Sequence, residues 1–249
     1  MTTKIAQQMI RAARQLCKEV DALQFPPPVA WVYNPLDYGL QAHEDYLQRY
    51  AANRKRFIFL GMNPGPFGMV QTAIPFGEIH FVRDWLGIRE ISAGPAETHP
   101  KRPVQGFQCQ RSEVSGKRLW GLFEERFCKP SSFFQDHFVA NYCPLAFLEE
   151  TGRNLTPDKI PSQWRQPLFD ACNRHLQEIL QILKPEIVIG IGRFASQRAE
   201  GVATPLGIKT TEILHPSPAS PAANKDWKGK VSQKLMEAGI WTRNVPHDA

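Results

Sequence analysis

The sequence predicts an α/β fold of three layers, in which a central, mostly parallel sheet of four strands is covered by helices on both faces. Two observations predict it. Four short apolar runs read as buried strands, and helical patterns occupy the intervals between them, as in a mostly parallel sheet covered on both sides. A third observation, the absence of any repeat or compositional break, places residues 1–249 in a single domain. Hydrophobic residues make up 42% and charged residues 22% of the chain, the balance of an ordinary globular domain long enough to bury most of its apolar surface in one core.

The elements follow in order. Ile5, Met9, Ala13, Leu16, Val20 and Leu23 recur at three-and-four spacing and predict an amphipathic N-terminal helix over about residues 4–24, which Pro26-Pro27-Pro28 ends. An irregular stretch with Trp31, Tyr33, Pro35 and Tyr38 leads to a short helix from His43 to Tyr50. The predicted strands are Phe57 to Leu60, Phe138 to Tyr142, Ile187 to Ile191, and Ile208 to Leu214. Among the intervening helices, Gly116 to Phe127 and Ser162 to Leu183 are clearest. The second carries Trp164, Leu168, Ala171, His175, Leu176, Ile179 and Leu183 on one face, with Pro185 at its exit. Ser92 to Pro103 and Glu149 to Pro161 combine proline, glycine and charge in the manner of rim loops of the same domain.

Several function classes are excluded at this level. No run approaches the roughly 20 apolar residues of a membrane span, and MTTKIAQQMIRAARQLCKEV lacks a signal-peptide core. A protein that is not secreted is expected, cytoplasmic in a bacterium or nuclear in a eukaryote, with no membrane partner. Cys17, Cys109, Cys128, Cys143 and Cys172 are widely spaced and contain no Cys-x-x-Cys, which fits reduced thiols and argues against a disulfide scaffold, a zinc ribbon or an iron–sulfur cluster. His99, Cys109, Cys128 and His137 lack metal-ligand spacing, so no metal or cofactor is expected. The formal net charge of +6 favours a polyanionic partner without naming one.

Ligands of open parallel sheets bind beyond the carboxyl ends of the strands. There the four runs lead into Gly61-Met62-Asn63-Pro64-Gly65-Pro66, Asn141-Tyr142-Cys143-Pro144, Gly190-Ile191-Gly192 and His215-Pro216-Ser217-Pro218. Two asparagines and a histidine are thereby predicted to meet over one pocket. No carboxylate stands at these ends, against two-carboxylate glycoside chemistry and against a divalent-metal nuclease site. An asparagine amide can hold a water or match the donor and acceptor edge of a nucleobase, and a histidine can donate to a departing anion. Taken singly, each asparagine has a plain role as a turn former and the histidine as a structural residue; convergence from separate strands favours a site. Gly190 to Ala195 has the form G-x-G-x-x-A with Glu212 downstream, but the short following helix favours a tight strand-to-helix turn over a dinucleotide site. Cys143 beside Pro144 is expected to be packing, and no G-x-S-x-G surrounds Ser217.

Three segments, GMNPGPFGMVQTAIPFG (Gly61 to Gly77), FVANYCPL (Phe138 to Leu145) and HPSPASPAANKDWKGK (His215 to Lys230), together resemble the single-strand-selective monofunctional uracil-DNA glycosylase family of the uracil-DNA glycosylase superfamily. The stretch HPKRPVQGFQCQRSEVSG (His99 to Gly116) resembles a further family segment, and the likeness runs from about Trp31 to Trp241. The resemblance implies a uracil-DNA glycosylase-like fold and hydrolysis of the N-glycosidic bond of uracil in DNA, as the first step of base-excision repair, without lyase activity. It implies that Asn63 positions the attacking water and His215 stabilises negative charge on uracil O2. Asn141 then reads the base edge, Phe76 stacks on the flipped base, and Met62 and Gly65 line the pocket near O2 and C5. It further implies that the segment holding Pro216, Ser217, Pro218, Ala219 and Ser220 is a wedge that fills the space left by the flipped base, with Lys225, Lys228 and Lys230 approaching phosphates. Ala219 and Ser220 depart from the Arg-Asn pair common in the family, so a stronger preference for single strands or mismatches is expected. Activity on 5-hydroxymethyluracil is expected from the space at Gly65. The partner is DNA, single- or double-stranded, and a monomer is expected. A deaminated-purine glycosylase of the same fold, a non-catalytic binder of damaged or single-stranded DNA, and a nucleotide-cofactor oxidoreductase built on Gly190 to Ala195 remain as alternatives.

Overall fold

In the computed structural model, residues 2–88 and 94–242 are described; residues 92 and 93, the start of the first expected rim loop, lie outside them. Helix α1 (Lys4–Asp21) opens the chain, followed by strand β1 (Trp31–Tyr33), α2 (Pro35–Tyr38), α3 (Leu40–Tyr50), β2 (Phe57–Gly61) and α4 (Met69–Thr72). Then come α5 (Val114–Phe127), α6 (Pro130–Asp136), β3 (His137–Asn141), β4 (Ala146–Leu148), β5 (Asn154–Leu155) and α7 (Ser162–Leu183). The last elements are β6 (Ile187–Ile191), α8 (Arg193–Ala203), β7 (Lys209–Ile213) and α9 (Trp227–Glu237).

The four expected strands form one sheet in the order β3-β2-β6-β7, and every pairing is parallel. All five residues of β2 are buried, as a central strand covered on both faces must be. The layers can be read from side-chain alternation. Phe59 in β2 meets Phe123 of α5 at 4.9 Å, whereas Phe138, in register with Ile58, points to the opposite face and meets Tyr46 of α3 at 5.2 Å. On that second face α1 also packs against α7, where Arg174 pairs with Glu19 at 2.7 Å. The fourth strand is not buried as expected: β7, at the sheet edge, has only Ile213 buried and carries Lys209 and Glu212 exposed, charges that discourage further strand pairing.

Two differences from the sequence reading matter for the site. A small antiparallel sheet of β1, β4 and β5 stands where an irregular stretch and a rim loop were expected. Its strands have three, three and two residues, too short for any periodicity to register. The N-terminal helix ends at Asp21 rather than about residue 24; Thr3 Oγ1 caps its start by accepting from the Ala6 N–H at 3.2 Å. Among the described residues no helix is long and apolar enough to cross a membrane.

His137, the first residue of β3, shows how tightly this core specifies a neutral ring. Its Nδ1 lies 3.0 Å from the Phe133 carbonyl oxygen, and its Nε2 is 3.2 Å from the Trp241 indole nitrogen, which can only donate. The proton therefore sits on Nδ1, and a second proton would face the indole N–H. Burial, with no carboxylate to compensate, holds the pKa down at about 4. Between the ordinary value of 6.5 and about 4 the unfolded chain binds a proton that the native ring refuses, so stability falls as pH falls through that window. The contribution is of order 3 kcal/mol. His175 and His215 are likewise held at about 4 and add in the same direction. The urea midpoint should drop steeply between pH 6.5 and 4, and His137→Gln should remove one proton's share of that slope; an unchanged slope in the variant would refute the assignment.

Candidate functional site

At the carboxyl end of the sheet lies a cavity of about 340 Å³ lined by residues of five separate segments. Strands β2 and β3 end side by side, Gly61 in register with Asn141. The turn after β2 supplies Met62, Asn63, Pro64, Gly65 and Pro66; β3 supplies Asn141; the chain after β7 supplies His215 and Ser217. Phe76 closes one wall, with its ring centroid 6.2 Å from that of His215. The six residues expected to hold catalyst and base, Asn63, His215, Met62, Gly65, Phe76 and Asn141, thus meet in one pocket.

The polar groups are aimed by their other hydrogen bonds. Asn63 Nδ2 donates to the Leu145 carbonyl at 3.2 Å, which anchors the amide and leaves Oδ1 as its free acceptor. Asn141 Nδ2 lies 3.2 Å from Met69 Sδ, and its Oδ1 is buried without a hydrogen-bond partner. Such an orphaned acceptor costs roughly 1–3 kcal/mol, and its position in a ligand-sized cavity marks it as waiting for a donor. His215 Nδ1 accepts from the Ser217 N–H at 3.1 Å, so the ring proton resides on Nε2. Burial holds the His215 pKa down at about 4, which keeps the ring neutral near pH 7.

Glycines make the room. A Cβ at Gly61 would fall on Asn141 Oδ1 and on the Phe76 ring. Gly192, at φ 82°, lets the turn after β6 lie against His215, where its Cβ would come within 2.9 Å of the histidine Cβ. Gly190 has the Ser196 backbone against it. The G-x-G-x-x-A segment therefore serves helix packing and the seat of His215, in keeping with the tight-turn reading.

The main omission of the sequence reading is Glu113, the residue preceding α5, which lines the pocket although no strand end carries an acid. Its side chain fills the space that Gly65 and Gly68 leave open: a Cβ at Gly65 would lie 2.6 Å from Glu113 Oε2, and one at Gly68 2.8 Å from Glu113 Cγ. Burial raises its pKa, opposed by the facing N–H groups of Phe67 and Ser115. It is the only acid of the described lining, so paired-carboxylate chemistry still finds no support. Gly116 packs directly on the Phe76 carbonyl, and Phe76 itself holds a left-handed φ of 54°. Gln71, 1% exposed, donates to Pro66 O at 2.9 Å and Pro103 O at 3.0 Å and accepts from the N–H groups of Gln105 and Gly106. Asn154 and Thr156, from β5 and the residues after it, complete the rim. The only signal for Glu113 and Gly116 in the sequence was the segment ending in RSEVSG, which carried a resemblance and no role.

Beside the pocket, Pro218, Ala219 and Ser220 form the adjoining surface loop with Pro216 buried at its base, and Ser217 Oγ accepts from the Ala219 N–H at 3.2 Å. Lys225 is exposed on the same segment. Lys228 is instead ion-paired with Glu125, and Lys230 donates to the Ala222 carbonyl at 3.1 Å, so both are engaged within the protein. Away from the pocket, Cys17, Asp21 and Asp37 are the one group of potential metal ligands among the described residues. The Cys17 thiol is pushed up to about 12 by burial and Asp21, which opposes the thiolate a metal needs.

Comparison with known proteins places these features. The family model of the uracil DNA glycosylase superfamily matches residues 48–236. The chain is 45% identical over 238 residues to the single-strand selective monofunctional uracil-DNA glycosylase of Rattus norvegicus, covering 95% of this chain and 86% of that protein. The protein of the same name from Bos taurus is 43% identical, over 95% of this chain and 88% of its own. Among solved structures, SMUG2 of Pedobacter heparinus superposes with a TM-score of 0.69 at 16% identity, over 96% of this chain and 98% of that one, which speaks for the fold.

Gly61→Ala should close the pocket from within, because the new methyl strikes both Asn141 and Phe76. Overpacking of roughly 1–3 kcal/mol predicts binding of a free pyrimidine base weakened about tenfold or more in an NMR titration, with an unchanged circular dichroism spectrum. Undiminished binding would show that Asn141 and Phe76 do not form the base contact.

Proposed function

We propose, from the premise that this chain belongs to the single-strand selective monofunctional uracil-DNA glycosylase family within the uracil DNA glycosylase superfamily, that its pocket receives uracil extruded from DNA and hydrolyses the N-glycosidic bond, leaving an abasic site. The observation that carries this reading is the buried, unpartnered Oδ1 of Asn141. Uracil offers N3–H to that oxygen and O4 to the amide NH₂. Cytosine presents an acceptor at N3 and a donor at C4, which would leave buried groups facing their like.

The chemistry follows from the aimed groups. As the bond between C1′ and N1 breaks, its electron pair moves onto the base and spreads to O2, while positive charge develops on the deoxyribose. Neutral His215, with its proton on Nε2, donates toward O2, where the charge grows in the transition state. Asn63, its NH₂ tied to Leu145, uses Oδ1 to accept from a water and aims that water's lone pair at C1′. The water adds to C1′ and loses a proton to solvent. Phe76 stacks on the base, and the main chain at Met62 and Gly65 borders it. No lysine is among the described lining residues, which fits water rather than a Schiff base as nucleophile.

Substrate range follows from the walls. Gly65 and the Glu113 carboxylate packed against it border the C5 side, and 5-hydroxymethyluracil is accepted beside uracil. The adjoining loop from Pro216 to Ser220 is the wedge, and its small Ala219 and Ser220 hold a gap in duplex DNA weakly, which directs the enzyme to single strands and mismatches. Lys225 reaches phosphate directly, and Lys228 does so by exchanging its Glu125 partner. The enzyme works as a monomer.

Cleavage of an oligonucleotide with one uracil, revealed by alkali, tests the reading. Asn63→Ala and His215→Ala should each lower the single-turnover rate by about 10²–10³, the loss of roughly 3–4 kcal/mol typical of such groups. Borohydride should trap no covalent adduct. Because His215 titrates only near 4, the rate should not decline from pH 7 to 5.5, where an ordinary histidine gains its proton; a fall centred at 6.5 would contradict the neutral-donor role.

A further inference from the structure

Arg118, in the second turn of α5, reaches across to the chain that follows His215. Its Nη1 donates to the Pro216 carbonyl at 3.1 Å, and its Nη2 to Asn224 Oδ1 at 3.0 Å. Asn224 in turn donates through Nδ2 to the Pro218 carbonyl at 3.0 Å. Two carbonyls of the Pro216-Ser217-Pro218 turn are therefore held, one directly and one through a relay. Between them lies the Ser217 N–H, the group that bonds His215 Nδ1 and so sets the ring's tautomer and orientation. Trp227, donating from Nε1 to the Leu214 carbonyl at 2.7 Å, braces the same chain on the other side of the histidine.

We propose that Arg118 is a positioning residue: a strut from α5 that fixes the turn after His215, and with it both the histidine and the wedge. Within the loop Ser217 Oγ accepts from the Ala219 N–H and the Ser217 carbonyl from the Ser220 N–H, but Ala219 and Ser220 have no side chain long enough to tie the loop to the body of the protein, and Arg118 supplies that tie. A planar guanidinium suits the task because its fork meets two acceptors at once, which a lysine ammonium on a flexible stem does not reproduce. Among the described residues no carboxylate forms an ion pair with Arg118, so its donors serve the loop rather than a salt bridge. Two residues earlier, Gly116 lies against the Phe76 carbonyl. One rigid helix therefore sets the stacking ring and the wedge relative to each other.

The inference rests on the glycosylase reading for its catalytic consequence, and its test separates the two. In the full chain, Arg118→Ala, Arg118→Lys and Asn224→Ala are compared on a single-stranded uracil oligonucleotide and on the same sequence as a U:A duplex, under single-turnover conditions. A loop displaced by about 1 Å predicts losses of about tenfold on the single strand and about a hundredfold on the duplex for Arg118→Ala, with little recovery in Arg118→Lys. Asn224→Ala should widen the gap between the two substrates in the same sense, and the double variant should be no worse than Arg118→Ala within about twofold, because both remove one strut. Tryptic cleavage after Lys225 should accelerate in both variants. Equal losses on the two substrates, additive losses, or unchanged cleavage at Lys225 would overturn the strut. A wild type inert on both oligonucleotides, with cleavage still accelerated in the variants, would overturn the glycosylase reading and leave the strut supported.

Discussion

The site depends on the end of β2. Gly61 stands in register with Asn141, and because it has no side chain, the Asn141 amide and the edge of Phe76 occupy the space beside it. Parallel pairing brings the two strand ends level, and the turn after Gly61 then carries Asn63 to the same mouth. A one-residue slip would send Asn141 to the other face of the sheet. The fully buried central strand resists that slip, since its apolar side chains have no water-compatible alternative.

Around this point several buried polar side chains are engaged within the protein. Gln71 makes four bonds to main-chain groups, and His137 has both ring nitrogens engaged. Of the buried side-chain polar atoms without a partner among the described residues, Asn141 Oδ1 is the one whose residue lines the ligand-sized cavity. A buried acceptor left open is costly in the free protein and selective in the complex, because only a ligand with a donor in that place removes the cost. His215 follows the same logic. Burial and the Ser217 N–H favour the neutral ring with its proton on Nε2, which suits the donor role proposed for it.

The start of α5 gathers what the strand ends leave loose. Glu113 packs into the turn after Asn63, Gly116 against Phe76, and Arg118 against the chain after His215. The turn after Asn63, Phe76 and the distant chain after His215 are thereby held by six consecutive residues, Glu113 and the first five of α5. Loops positioned by a rigid scaffold are the usual carriers of catalytic groups, and here a single helix end acts as scaffold for three of them. Lys228 and Glu125 pair across α9 and α5, adding a further tie on the same side of the pocket.

Apolar runs at Phe57, Phe138 and Ile187 were enough to determine the central sheet and its parallel sense, because a strand buried on both faces must be continuously hydrophobic. The same reading placed Asn63, Asn141 and His215 together, since the ligand end of a parallel sheet is set by strand direction alone. The resemblance added Phe76, the wedge and the chemistry. What composition and periodicity left out is of another kind. The β1, β4 and β5 strands are too short to have a period, and their pairing is a matter of tertiary contact. Glu113 reads as an ordinary surface acid until folding sets it against two glycines nearly fifty residues away. The tie of Lys228 to Glu125 and the reach of Arg118 to Pro216 join residues about a hundred positions apart. Local sequence determines which backbone can form and which face is apolar; which side chain completes which hydrogen bond was decided only when distant segments met, because that choice depends on separations of a few tenths of an ångström that no local pattern encodes.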